Sequence, residues 1–291
     1  MPYIEHALGR THYTVRGHRS DRPAIVWLHG GPGGMHNPKS RLFDLAEGRQ
    51  VYAYTQIGSG RSGDLSARRR NISTFVKELR ALTEAWQLDR FHLMGGSWGA
   101  TLALEYYLKH PRQNIKSLVL QSPMLSAHDW QRDANRLIKQ LSKEDQKVIR
   151  YCHDIGATDS AVYQTVMRRY YRRHVLRDDK KLDAMLQRKN PRGGAIYQHM
   201  WGPNEFVATG TLRNHDRTND FGRVHVPTLI VCGEHDEATP ATGRRYAKAF
   251  PKGRFDMIPD ASHAIWEEKP EQLSRKISAF LNAVERSGEP V

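Results

Sequence analysis

The chain has 291 residues, 38% of them hydrophobic and 26% charged, the balance of a soluble globular protein with one large α/β domain or a core carrying an inserted second layer. No run approaches the roughly 18 apolar residues of a membrane span. The start, Met1-Pro2-Tyr3-Ile4-Glu5-His6, also lacks the basic-then-apolar pattern of a signal peptide, so we expect a cytoplasmic protein. The formal net charge is +14, with basic clusters at residues 68–70 and 168–174, but no nucleic-acid motif accompanies them. We read the excess as solvated surface, with neither nucleic acid nor membrane as partner. The two cysteines, Cys152 and Cys232, show no C-x-x-C spacing, which leaves neither a disulfide framework nor a zinc site.

In chain order, Ala24–Leu28 reads as a strand that ends at Gly30-Gly31-Pro32-Gly33-Gly34. Residues 51–55 are a second strand, closed by Gly58-Ser59-Gly60. Ser73 is placed to cap a helix whose Phe75, Leu79, Leu82 and Trp86 share one face. Residues 91–94 form a strand, 100–110 a helix and 117–121 another strand. From 123 to 216 no strand is expected. Helical stretches are expected at 130–141 and 160–171, and a loop at Asn190-Pro191-Arg192-Gly193-Gly194. Strands resume at 228–232 and 254–258, and a last helix at 270–285 turns Leu273, Ile277, Phe280 and Leu281 to the core. The alternation predicts an α/β fold, a mostly parallel sheet flanked by helices. Residues 1–122 and 217–291 form its core, and 123–216 form a helical cap over the sheet's C-terminal edge, where such sheets bind ligands.

Gly95-Gly96-Ser97-Trp98-Gly99 reads G-x-S-x-G between a strand and a helix, the setting of a nucleophile elbow. A serine needs a base, and in this arrangement the order is Ser, then Asp or Glu, then His. Among 15 histidines, His263 sits after a strand and before the last helix. Asp236 follows the strand at 228–232, with Glu234, Asp256 and Asp260 as rivals. Ser97, Asp236 and His263 make the candidate triad. An oxyanion hole would use the N–H groups of Trp98 and, from His29-Gly30-Gly31-Pro32-Gly33, of Gly31.

Together with Gly233-Glu234-His235-Asp236-Glu237, Ser262-His263 and Trp201-Gly202-Pro203-Asn204-Glu205-Phe206, these blocks resemble the proline iminopeptidases (prolyl aminopeptidases) of the α/β-hydrolase fold. Their relatives include prolinamide-type amide hydrolases. The resemblance implies a serine aminopeptidase that removes an N-terminal residue, proline or small and apolar, from a small peptide or amino-acid amide. It places the substrate's amino group between Glu205 and Glu237, and Trp130, Trp201 and Phe206 are candidates for an apolar wall. No cofactor or metal is implied, and no metal-binding motif such as H-E-x-x-H is present. An amide hydrolase, or a general carboxylesterase or lactonase, could use the same triad. One departure is Thr55, where the family usually carries Asp before Gln56.

Overall fold

The computed structural model describes residues 2–111 and 114–287. Among them are eight strands: β1 (Tyr3–His6), β2 (Gly9–Arg16), β3 (Ala24–Leu28), β4 (Val51–Tyr54), β5 (Phe91–Gly96), β6 (Ile115–Gln121), β7 (Thr228–Gly233) and β8 (Gly253–Ile258). They form one sheet in the order β1-β2-β4-β3-β5-β6-β7-β8. β3 to β8 pair in parallel, and β1 and β2 add an antiparallel edge. Helices α1 (Ile72–Ala85) and α2 (Trp98–Lys109) fall between strands of the first half. Five helices then separate β6 from β7: α3 (Ala127–Ile138), α4 (Lys143–Asp154), α5 (Ala161–His174), α6 (Asp179–Leu186) and α7 (Pro191–Met200). α8 (Pro240–Ala249), α9 (Ile265–Glu268) and α10 (Pro270–Arg286) complete the chain.

β3, β4, β5 and β7 are buried at every position, which is why they read as continuous apolar runs and not as alternating ones. Successive side chains still go to opposite faces. Val26, Leu28 and Leu93 pack with Phe75, Leu79 and Trp98 of α1 and α2. Ile25, Trp27 and Met94 pack with Leu273, Ile277 and Phe280 of α10 on the other face. A third apolar cluster joins Leu137, Ile149, Tyr163, Met167, Tyr170 and Phe206, from α3, α4, α5 and the segment after α7. Cys152 and Cys232 are buried free thiols. No helix among the described residues is long and apolar enough to cross a membrane.

Three local expectations need correction. The β1–β2 hairpin is absent from the sequence reading because its residues are polar and only half buried, with Thr11, His12 and Thr14 turned inward. α1 starts at Ile72, and its cap is Asn71, whose Oδ1 accepts the Thr74 N–H at 3.1 Å, not Ser73. Residues 190–194 are not a loop. They open α7, with Asn190 as cap and Pro191 in the first turn, where its missing N–H costs no hydrogen bond.

α1 also carries a wholly buried acid. Glu78 Oε1 accepts the Thr11 hydroxyl at 2.5 Å and the Ile57 N–H at 2.8 Å, while Oε2 has no hydrogen-bond partner. Burial, against those two bonds, lifts its pKa from 4.5 to about 8. The folded chain therefore holds a proton that the unfolded chain releases. The resulting stability is present below the unfolded pKa and is lost as pH rises through the folded one. Glu78→Gln keeps an acceptor and cannot ionise. We expect denaturation curves taken from about pH 4 to about pH 9 to move steadily in the variant's favour relative to the parent. A constant offset between the two proteins would contradict the assignment.

Candidate active site

Ser97 lies between β5 and α2 at φ 55° and ψ −119°, a conformation that costs a non-glycine residue about 1–3 kcal/mol and needs enforcement by its surroundings. Two glycines allow the chain to close around it. A Cβ at Gly95 would lie 2.1 Å from the Gly99 carbonyl oxygen, and one at Gly99 would lie 2.1 Å from that of Leu28. The Ser97 N–H donates to the Gln121 carbonyl at 2.9 Å. Its hydroxyl does not cap α2, and the residue remains partly exposed.

His263 occupies the turn between β8 and α9, and its Nδ1 lies 2.8 Å from Asp236 Oδ1. Asp236 Oδ1 also accepts the Ala238 N–H at 2.9 Å, while Oδ2 accepts the Ser122 hydroxyl at 2.5 Å and the Gly233 N–H at 3.2 Å. Such a carboxylate is buried yet fully supplied with donors. The rivals face elsewhere. Glu234 accepts the Asp260 N–H at 3.0 Å, Asp256 pairs with Lys276 at 2.7 Å, and Asp260 faces Arg177 at 3.5 Å.

Two residues that sequence reasoning missed join these loops. Gln121 accepts from the Ser97 N–H through its backbone carbonyl, and its side-chain amide donates to the His263 carbonyl at 3.3 Å. His174, the last residue of α5, accepts both the Glu237 N–H at 3.2 Å and the His263 N–H at 3.1 Å on one carbonyl. Its ring Nδ1 lies 2.9 Å from the His235 carbonyl, which fixes the proton on Nδ1. Sequence offered no signal for this role, because His174 closes a run of arginines and tyrosines that reads as exposed basic surface.

The glycine loop after β3 runs beside the serine. A Cβ on Gly30 would approach Ser97 Cβ to 3.3 Å, and Gly31 takes φ +122°. Gln56 ties this loop to the elbow. Its Oε1 accepts the Trp98 indole N–H at 2.9 Å, its Nε2 donates to the His29 carbonyl at 3.3 Å, and its backbone N–H donates to His29 Nε2 at 3.0 Å. His29 Nδ1 therefore carries the proton and donates to the Gly30 carbonyl at 2.7 Å. Burial drives the His29 pKa down to about 4 despite that bond, so the ring is neutral. Thr55 Oγ1 lies 2.7 Å from His36 Nδ1, and His36 Nε2 lies 2.9 Å from Thr14 Oγ1; burial lowers the His36 pKa to about 3, so the network around Thr55 is uncharged.

Glu205 sits in a tight turn closed by the Asn204–Val207 bridge. Its backbone carbonyl accepts the Trp130 indole N–H at 3.0 Å, and its Oε1 accepts the Tyr197 hydroxyl at 2.6 Å. Trp130 also stands edge-on to the His263 ring, 5.7 Å between centroids, and to Trp201 at 6.1 Å. It thus spans from the Glu205 turn to the imidazole. Phe206 packs instead against Tyr170 at 4.5 Å within the apolar cluster of α3 to α5. Glu237 is buried, and its Oε2 has no hydrogen-bond partner.

These three ionisable groups act on one another. Desolvation raises the pKa of Glu205, opposed by the Tyr197 bond and the His263 charge. Desolvation and then the Glu205 charge push Glu237 well above the ordinary range, opposed by His263. For His263 burial acts downward, but Asp236, Glu237 and Glu205 outweigh it and bring the pKa to about 9. The cluster has a shortage of positive charge.

Residues 23–270 match the family model for the alpha/beta hydrolase fold. The chain is 34% identical over 284 residues to a proline iminopeptidase of Heyndrickxia coagulans, covering 97% of this chain and 98% of that one. A proline iminopeptidase of Lactobacillus delbrueckii subsp. bulgaricus is 32% identical over 284 residues, 96% of each chain. Among solved structures, VinJ gives a TM-score of 0.90 at 29% identity, over 97% of this chain and 98% of that one. A proline iminopeptidase of Mycobacterium smegmatis gives 0.86 at 28% identity, over 99% of each. Likeness of this extent in both sequence and backbone is decisive: the chain belongs to the proline iminopeptidase family of α/β hydrolases.

Proposed function

We propose that this protein releases an N-terminal residue, proline or a small apolar one, from short peptides or amino-acid amides through an acyl-enzyme on Ser97. The observation that carries the reading is the unpartnered buried Oε2 of Glu237 beside Glu205 and His263. The Tyr170 hydroxyl, also buried, interacts with Glu237 but makes no well-formed hydrogen bond to it; a buried carboxylate so poorly supplied is costly unless a ligand brings a donor. A free amino terminus has a pKa near 8 and is mostly cationic at neutral pH, and a prolyl nitrogen offers two N–H donors, one for each carboxylate. In this reading residues 123–216 act as a cap, carrying Glu205 and confining the first side chain near Trp130 and Trp201.

The chemistry follows the triad. With Asp236 held on Nδ1, His263 takes the Ser97 proton on Nε2 as Oγ attacks the carbonyl carbon. The N–H groups of Trp98 and Gly31 receive the oxyanion. The imidazolium then gives its proton to the leaving amine, and water, activated by the same ring, releases the acyl group. Substrate binding also prepares the base. The carboxylates that raise the His263 pKa become engaged with the ammonium, so the ring loses its proton more readily when the amine is seated. A small-leaving-group amide hydrolase would use the same atoms. An esterase would leave the glutamate pair without a task.

The first test is turnover of prolyl and alanyl chromogenic amides with free or acylated amino groups, beside a short-chain ester. Only free-amine substrates should react, and Ser97→Ala should lower turnover by about 10⁴-fold or more. Equal turnover of blocked substrates would reduce the protein to a general esterase. Glu237→Gln should raise KM for free-amine substrates about tenfold or more, the loss of one charge-assisted hydrogen bond. It should also shift the acidic limb of the kcat/KM profile to lower pH, since one charge that raises His263 is gone. An unmoved limb with unchanged KM would remove Glu237 from the site.

A further inference from the structure

The loop that bears Gly31 consists largely of glycines and has few side chains with which to hold itself. An oxyanion donor works only when it is fixed in advance, so something outside the loop must supply the rigidity. The structure supplies it from α7. Asn190 caps that helix, its Oδ1 accepting the Gly193 N–H at 3.3 Å, and its Nδ2 donates to the Gly33 carbonyl at 2.8 Å and to Ser59 Oγ at 3.0 Å. A carbonyl only accepts and an N–H only donates, so these partners fix the orientation of the amide. Ser59, wholly buried, places its hydroxyl 2.7 Å from the Gly33 carbonyl and 2.8 Å from that of Gly34.

Backbone closes on backbone at the same point. A Cβ at Gly33 would lie 2.2 Å from the Gly193 carbonyl oxygen, and one at Gly193 would lie 2.0 Å from that of Gly33. Gly31 belongs to the same tight turn, in which a Cβ on it would lie 2.6 Å from Gly34 N and 2.8 Å from Gly33 N. The first turns of α7 are secured in turn. Arg192 pairs with Asp64 at 2.5 Å, and Arg70 donates to the Ala195 carbonyl at 3.2 Å.

We propose that Asn190 is a positioning residue for the oxyanion loop, acting through Gly33 on the Gly31 N–H. The inference rests on the hydrolase reading above. It gives α7 a part in stabilising the transition state, distinct from shaping the substrate pocket. Such an effect appears in kcat and spares ground-state binding.

Asn190→Ser and Asn190→Asp test it. Both residues cap helices well, but the Asp carboxylate has no donor and the Ser hydroxyl, one atom nearer its own backbone, falls short of the Gly33 carbonyl that the amide reaches. Four quantities are measured for each: kcat and KM on a prolyl anilide, the affinity for prolyl boronic acid, the affinity for free proline, and Tm. The boronate forms a tetrahedral adduct with an oxygen in the oxyanion position, and proline does not. We expect kcat and boronate affinity to fall together by about tenfold or more, with KM, proline affinity and Tm nearly unchanged. The proposal is overturned if kcat and boronate affinity hold, whatever happens to Tm, or if boronate and proline weaken by the same factor. A parent enzyme that ignores the boronate, with Ser97→Ala still active, would instead refute the hydrolase reading and take this proposal with it.

Discussion

The close approach of α2 to the end of β3 is the constraint on which the site depends. Gly99 lets the helix start against the Leu28 carbonyl, and Gly95 lets the turn fold back on Gly99. Ser97 is then held at a positive φ that no local preference of serine would select. Because β3 and β5 are adjacent in the sheet, the glycine loop that leaves β3 and the serine that leaves β5 emerge side by side. The placement of candidate oxyanion donors beside a candidate nucleophile thus follows from strand order and two missing side chains.

Hydrogen bonds convert that placement into a fixed geometry. Gln56 joins the Trp98 indole to His29, and Gln121 joins the Ser97 amide to the His263 carbonyl. The end of α5 draws the Asp236–Glu237 turn and the His263 turn onto one carbonyl. A further anchor comes from α3, where Asp133 accepts the Thr239 and Thr242 hydroxyls, each at 2.6 Å, just beyond Glu237. Each of these groups is buried or partly buried and has a partner, so displacing one loop strands donors and acceptors in others. Helices between β6 and β7 therefore hold the turns at the ends of β7 and β8.

What the sequence made legible was local or ordinal. The elbow is a contiguous pattern, and following the ends of strands in chain order picks out His263 and Asp236 as candidates, which the structure pairs at 2.8 Å. Most of the parallel strands, β3, β4, β5 and β7, were legible because burial on both faces makes them largely apolar. Other features depend on partners distant in sequence. β2 buries polar residues, Thr11 among them against an acid 67 positions away. The stretch from Asn190 to Gly194 carries a cap and a first-turn proline, but its paired glycines give it the composition of a loop; the reason for Gly193 is the backbone of Gly33 packed against it, 157 residues before Asn190. His174 acts chiefly through its carbonyl, which every residue type possesses, so no side-chain pattern could announce it.

Two histidines, His29 buried and His263 half-buried, show how the site's electrostatics arises. His29 and His263 both suffer desolvation, which alone disfavours the charged ring. His29 has only dipoles around it, a backbone amide on one nitrogen and a carbonyl on the other, and its pKa falls to about 4. His263 has Asp236 at 2.8 Å with Glu237 and Glu205 behind it, and its pKa rises to about 9. Burial makes both effects large, and the neighbours set the sign. A ring beside dipoles becomes a rigid neutral strut for the glycine loop. A ring beside three carboxyl groups has a charge state that responds to any cation competing for those carboxyls. On the proposed reading the competing cation is the substrate's own amino group, so recognition of the free amine and activation of the base share one set of charges.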